Sequence, residues 1–198
     1  LINQYRGWDG SSANHAYSWH DAIHVANTIC PGNSPEPCDD YGSSHGTHTM
    51  GTMVGNDLAP TAVGWPAAAA NAVGVAPGAK WIGCRNMNNG DGTPASYSEC
   101  YEWFVAPYPP GGNPMTDGDP AMAPHVINNS WGCPFGEGCT TPDILEAVVN
   151  NVRAAGIVTV HSAGNEGTGG CCIVQKPAAT PPASFNLGAT ENNDKMSS

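Results

Sequence analysis

The stretch Pro142-Asp143-Ile144-Leu145-Glu146-Ala147-Val148-Val149-Asn150-Asn151-Val152-Arg153-Ala154-Ala155-Gly156-Ile157-Val158-Thr159-Val160-His161-Ser162-Ala163-Gly164-Asn165 changes its apolar period once. Leu145, Val148, Val149 and Val152 fall at i, i+3, i+4 and i+7, which gives a helix one apolar face. Thr141 is placed to cap it, Pro142 suits a first turn that needs no amide donor, and Gly156 can end it in a left-handed conformation. The spacing predicts a helix over 142–155. Ile157-Val158-Thr159-Val160 then reads as a short buried strand that runs into a loop of small and polar residues. Helix, apolar strand and polar loop in succession are the rhythm of a parallel α/β sheet. In such sheets ligands bind where loops leave the carboxyl ends of the strands. A second segment ends the same way: His125-Val126-Ile127-Asn128-Asn129-Ser130 begins as a buried strand and turns polar, leading to Gly132.

Working outward, residues 45–55 hold small or apolar side chains at nearly every position, which predicts a helix buried on all sides. Gly51 and Gly55 would let neighbours approach closely, and because glycine is a poor helix former, packing would have to hold this helix together. Residues 73–80 read as strand and turn, 81–85 as a short strand, and 97–105 as a helix that stops before Pro107. The stretch 107–124 carries six prolines and several glycines and reads as a surface excursion. Residues 1–44 are irregular, with one short helical candidate at 19–26, so the chain divides into a loop-rich part, 1–44, and a core, 45–198.

Composition narrows the classes. A chain of 198 residues suits one domain with a real core. No run of about 18 apolar residues occurs, so no membrane span is expected, and the first residues are not a charged-then-apolar leader. Seventeen acidic against six basic residues give a net charge of -11, which disfavours nucleic acid as a partner. Few charges combined with 25 glycines and 18 prolines describe a compact, loop-rich extracellular protein. Eight cysteines without a CxxC pair favour disulfides, the alternative being free buried thiols. Cys30 with Cys38, Cys84 with Cys100, and Cys133 with Cys139 are close enough in sequence to bridge, the last most readily because Pro134 and Gly136 turn its loop; Cys171 and Cys172 stay unassigned.

Three motifs then stand in one order: His45-Gly46-Thr47-His48, Asn129-Ser130-Trp131-Gly132 and Ser162-Ala163-Gly164-Asn165-Glu166-Gly167, with Gly74-Val75-Ala76-Pro77 and Asp91-Gly92-Thr93 between them. Their sequence and context resemble the subtilisin-like serine proteases, the subtilase family, over most of 40–198. Tyr5-Arg6-Gly7 and Trp19-His20-Asp21-Ala22 look most similar to its bacillopeptidase F branch. The resemblance implies a three-layer α/β fold with a mainly parallel central sheet flanked by helices, here a partial catalytic domain over 1–198, incomplete at both ends. It implies a secreted serine endopeptidase acting on polypeptides through an acyl-enzyme, made as a precursor with a pro-segment, with no cofactor in catalysis and structural calcium as an option. Asp39 and Asp40 are calcium candidates, a solvated acidic loop being the plainer reading.

By the same resemblance His45 is the general base, since imidazole accepts a proton near neutral pH, and Asn165 is the oxyanion donor. Read alone, an HxxH is two ordinary helix-surface histidines or half a zinc site, and an Asn between Gly and Glu is a turn residue. His48, one turn on, is expected to pack inside. His20 and His24 have the spacing of two zinc ligands on one helix, but no Glu follows His45 as in HExxH. Ser130, Trp131 and Gly132 with Ser162, Ala163 and Gly164 would wall the first specificity pocket, Glu166 would lie at its rim or floor, and Gly92, within 90–93, would belong to the opposing substrate strand. The family's aspartate and nucleophilic serine are not found: Asp9-Gly10-Ser11 follows no apolar strand, and no Gly-Thr-Ser-Met-Ala segment occurs. Both are expected beyond the ends of this stretch. The competing classes are a pseudoprotease or peptide-binding module on the same scaffold, and a disulfide-rich structural domain.

Overall fold

The computed structural model describes residues 1–40, 42, 44–56, 73–169, 174, 178–179 and 181–190; Cys171, Cys172 and the stretch 192–198 lie outside the described residues. The chain divides into two units, Leu1–Gly90 with Pro107–Gly118, and Asp91–Ala106 with Asp119–Ser198.

In the first unit, β1 (Trp19–Asp21) pairs in parallel with β2 (Gly83–Arg85), Asp21 opposite Arg85. The helix expected at 19–26 is therefore a strand followed by loop. All three β1 residues are buried, and Asp21 turns its carboxylate onto the chain ahead, accepting from the amides of Ile23 (2.9 Å) and Ser34 (2.7 Å). Such side-chain-to-backbone bonds compete with helical ones. His20 and His24 consequently share no helix face: His20 packs edge-on against Tyr108, with centroids 5.1 Å apart, and His24 Nδ1 lies 2.6 Å from Asn33 Oδ1.

Arg85 is buried and reaches two carboxylates, Asp21 at 3.0 Å and Asp40 at 2.5 Å, and donates to the Pro31 carbonyl at 2.9 Å. Asp40 is thus half of a buried ion pair and not part of a solvated loop. Asp39 has its own task, accepting from the amide (2.9 Å) and hydroxyl (2.7 Å) of Thr47 in the first turn of α1 (His45–Val54).

That helix forms where the sequence places it, but it is not enclosed: of its ten residues only Val54 is buried. Its glycines and threonines bring little apolar surface, so its burial depends on what is laid against it. What lies against its last turn is the segment 74–76, whose amides bond to the carbonyls of Gly55, Thr52 and Met53 at 2.7–3.0 Å. With its donors engaged there, 73–76 is a bend and not the expected strand. The tight approach is between Gly55 and Gly74, whereas a side chain at Gly51 would meet nothing within 4 Å.

The second unit is a three-stranded parallel sheet, β3 (Val126–Asn129), β4 (Val158–Ser162) and β5 (Phe185–Leu187), with β4 in the centre. Two helices lie on one side of it. Helix α2 (Pro94–Val105) starts three residues before the expected 97, because Thr93 and Ser96 form a reciprocal capping box and Pro94 occupies the first turn. Helix α3 (Glu146–Ala154) starts later than the expected 142, after a run of turns. The Thr141 hydroxyl bonds to the Asp143 carboxylate, holding that carboxyl below its usual range, and is diverted from capping. Gly156, at φ 87°, ends the helix in the left-handed region.

Leu145, Val149 and Val152 are wholly buried, each stabilising the unit by about 1.5–3 kcal/mol. Beneath the helices lie Ile127, Asn129, Thr159 and His161, while Val126 and Val158 on the opposite sheet face are exposed. Cys30–Cys38 and Cys133–Cys139 are disulfides, and Cys84 and Cys100 are also oxidised. Bridges closing loops this short contribute about 2–3 kcal/mol each. Among the described residues no helix is long and apolar enough to cross a membrane, and no three His, Cys, Asp or Glu side chains converge as a metal site requires.

Candidate active site

In the second unit β3 and β4 run side by side in the same direction, so the loops that leave their carboxyl ends open a cleft. Trp131, Gly132, Ser162, Ala163, Gly164, Asn165 and Ala179 line it, enclosing about 80 Å³. Two motifs about thirty residues apart thus share one cavity. Gly164 sits at φ 97°, where any other residue is strained. That turn brings Glu166 back so that its Oε2 accepts from the Asn165 backbone N–H at 2.9 Å. Asn165 itself is exposed and lines the cleft.

The remaining named residues lie elsewhere. Glu166 is exposed and abuts Gly164 without lining the cleft. Ser130 is half-buried, its hydroxyl accepting from Asn128 Nδ2 at 2.9 Å. Gly92 is buried under Tyr97, where a Cβ would run into the phenol ring. His45 is exposed as the first residue of α1, entered through Ser44 in the left-handed region, and belongs to the first unit. His48 is exposed as well, which corrects the expectation that it packs inside: α1 has too little covering it to bury one. Asp9 is committed to its own turn, accepting from the amides and hydroxyls of Ser11 and Ser12 at 2.7–3.0 Å, which holds its carboxyl far below the usual range.

Several residues of the cleft's surroundings went unnoticed in the sequence. Ala179 lines the cleft from a segment without a motif. His161 lies buried behind it, its Nε2 3.4 Å from the Tyr101 hydroxyl, with burial pushing its pKa down to about 4. Tyr97 and Tyr101, four residues apart on α2, face the same interior and have their phenols raised by burial; that spacing was the available signal.

Comparison with known proteins gives the family and the fold. The family profile described as Subtilase family matches residues 11–198. Bacillopeptidase F of Bacillus subtilis (strain 168) is 37% identical over 202 residues, covering 99% of this chain and 12% of that protein. Subtilisin Savinase of Lederbergia lenta is 29% identical over 164 residues, 82% of this chain and 48% of its own length. Subtilisin E of Bacillus subtilis is 29% identical over 200 residues, 98% and 45%. This chain therefore spans about half the length of these subtilisins and a much smaller share of the longer relative. In fold it is similar to a protease from Pseudoalteromonas arctica PAMC 21717, with a TM-score of 0.55 at 18% identity, covering 87% of this chain and 51% of the other. Motif order, parallel α/β architecture and a profile match over nearly its whole length together make this chain a member of the subtilase family.

Proposed function

We propose that this chain is the part of a secreted serine endopeptidase that carries the general base, His45, the oxyanion donor, Asn165, and the walls of the first specificity pocket. The cleft carries this reading: two small-residue loops at neighbouring strand ends line one cavity, with the exposed Asn165 in its lining. An extended peptide pairs with the backbone edges of 130–132 and 162–164 and places one side chain between them. A serine from the remainder of the full-length protein attacks the peptide carbonyl carbon, and its proton passes to His45. The carbonyl oxygen becomes negative and accepts from the side-chain amide of Asn165. The C–N bond breaks, the leaving amine takes the proton from His45, and water activated by the same histidine releases the acyl group. Side chains and water suffice for every step. The disulfides support an oxidising, extracellular setting.

The test is to treat the full-length protein and the isolated 198-residue chain with a serine-directed fluorophosphonate and assay peptide hydrolysis. The full-length protein should be labelled and inactivated, and the isolated chain should be neither labelled nor active. A full-length protein that binds peptides without being labelled would instead be a peptide-binding module on this scaffold.

A further inference from the structure

Trp131 forms one wall of the cleft, and the structure supplies a support behind it. Its indole stacks on Tyr97, with centroids 4.0 Å apart and planes at 4°. Tyr97 is wholly buried. Its hydroxyl donates to the Glu137 carboxylate, and Gly92 closes against the same end of the ring, supplying a backbone amide to the oxygen. Glu137 ends the short turn Phe135–Glu137, inside the loop that the Cys133–Cys139 disulfide closes. Gly138, at φ 95°, turns the chain back to that bridge. Behind the indole there is thus a ring fixed at its far end by a charge-assisted hydrogen bond, the stronger kind, to a carboxylate on a covalently closed loop.

We propose that Tyr97 and Glu137 are positioning residues, a strut that holds the Trp131 wall in place and so sets how large a side chain the cleft admits. This rests on the peptidase reading given above. A stacked ring without its hydroxyl anchor can slide across the indole, and the wall it supports moves with it. The strut bears on ground-state binding of a side chain in the cleft, so its loss should appear in KM for substrates that fill the cleft and leave the bond-breaking step alone.

The experiment uses the full-length protein and two peptide series, with Phe or Ala on the acyl side of the scissile bond. Tyr97→Phe and Glu137→Ala should each raise KM for the Phe series about tenfold, with kcat and the Ala series close to unchanged, as the loss of one part-buried charge-assisted bond implies. Glu137→Gln, which keeps an acceptor, should restore KM. An enzyme whose KM is indifferent to both substitutions, or which loses kcat equally on both series, overturns the strut. A second readout needs no turnover: acrylamide quenching of Trp131 fluorescence, taken as the difference from the matching Trp131→Phe protein. Glu137→Ala should raise the quenching constant about twofold as the wall loosens, and an unchanged constant overturns the proposal whatever the protein catalyses. Failure of the peptidase reading looks different, since the unsubstituted full-length protein would hydrolyse neither series while the quenching result still decides the strut.

Discussion

The two units are held together by different physics. In the first, strands of three residues meet around Arg85, whose guanidinium bonds to Asp21 and Asp40, while α1, the one long helix among its described residues, is largely exposed. In the second, two helices press Leu145, Val149, Val152 and a set of aromatic rings onto a parallel sheet. Apolar packing is tolerant, because many contacts share the load. A buried ion cluster is not, because each charge depends on its partners to offset the loss of water. The unit built on apolar packing also carries the cleft, and the unit built on the ion cluster carries His45.

The largest expected effect separates the chemical contributions of the two units. On the proposed mechanism, His45→Ala in the full-length protein should lower kcat by several orders of magnitude, since the serine would lose its base. Asn165→Ala should lower it by about 10²–10³-fold with KM little changed, because that hydrogen bond forms mainly in the transition state. Steady-state kinetics decides this, and an unaffected His45→Ala enzyme would leave that histidine with a structural role only.

Next comes stability. Replacing Arg85 with Met strands two buried carboxylates and should cost about 3–5 kcal/mol, while Leu145→Ala should cost about 2–5 kcal/mol through a cavity. Chemical unfolding tests both. An Arg85→Met penalty under about 1 kcal/mol, the worth of an exposed ion pair, would mean that the ion cluster is not what holds the first unit.

A smaller effect tests the second unit. The pKa of His161 falls from the ordinary 6.5 to about 4 on folding. Between those values the unfolded chain binds a proton that the folded one refuses, so this residue makes stability decline as pH drops from about 6.5 towards about 4, by about 3 kcal/mol in full. The groups packed against it, the Tyr101 hydroxyl and the Trp131 ring, bring no charge to offset this. Midpoints of chemical unfolding measured across that window should fall with acid, and His161→Gln should flatten the slope. An equal slope in the variant would mean that His161 gains a proton without penalty.

The smallest effect concerns specificity. Glu166 is exposed and bends onto the Asn165 backbone N–H beside the cleft, so a Lys or Arg side chain there should gain only about 0.2–1 kcal/mol from it. Glu166→Gln should lower the ratio of kcat/KM for Lys over Phe substrates less than about sixfold. An unchanged ratio would remove Glu166 from recognition.

The helix at 142–155 was legible because Leu145, Val148, Val149 and Val152 repeat at the helical period, although its first turn was lost when Thr141 bonded to Asp143. The strand at 19–21 was misread because its three residues are buried by long-range pairing with 83–85 and not by their own pattern. Tyr97 figured in the sequence only as the start of a helix, because neither the Trp131 stack nor the Glu137 anchor is visible until the chain has folded. Sequence alone determined the alternation of helix and strand, the motif order, the short-range disulfides Cys30–Cys38 and Cys133–Cys139, and the residues placed at strand ends, since all of these follow from local spacing. Tertiary structure decided that α1 lies exposed, that Asp40 is an ion-pair partner, and that Trp131 has a strut behind it. Burial and partner choice depend on what other parts of the chain bring to the same place, and no local pattern encodes that.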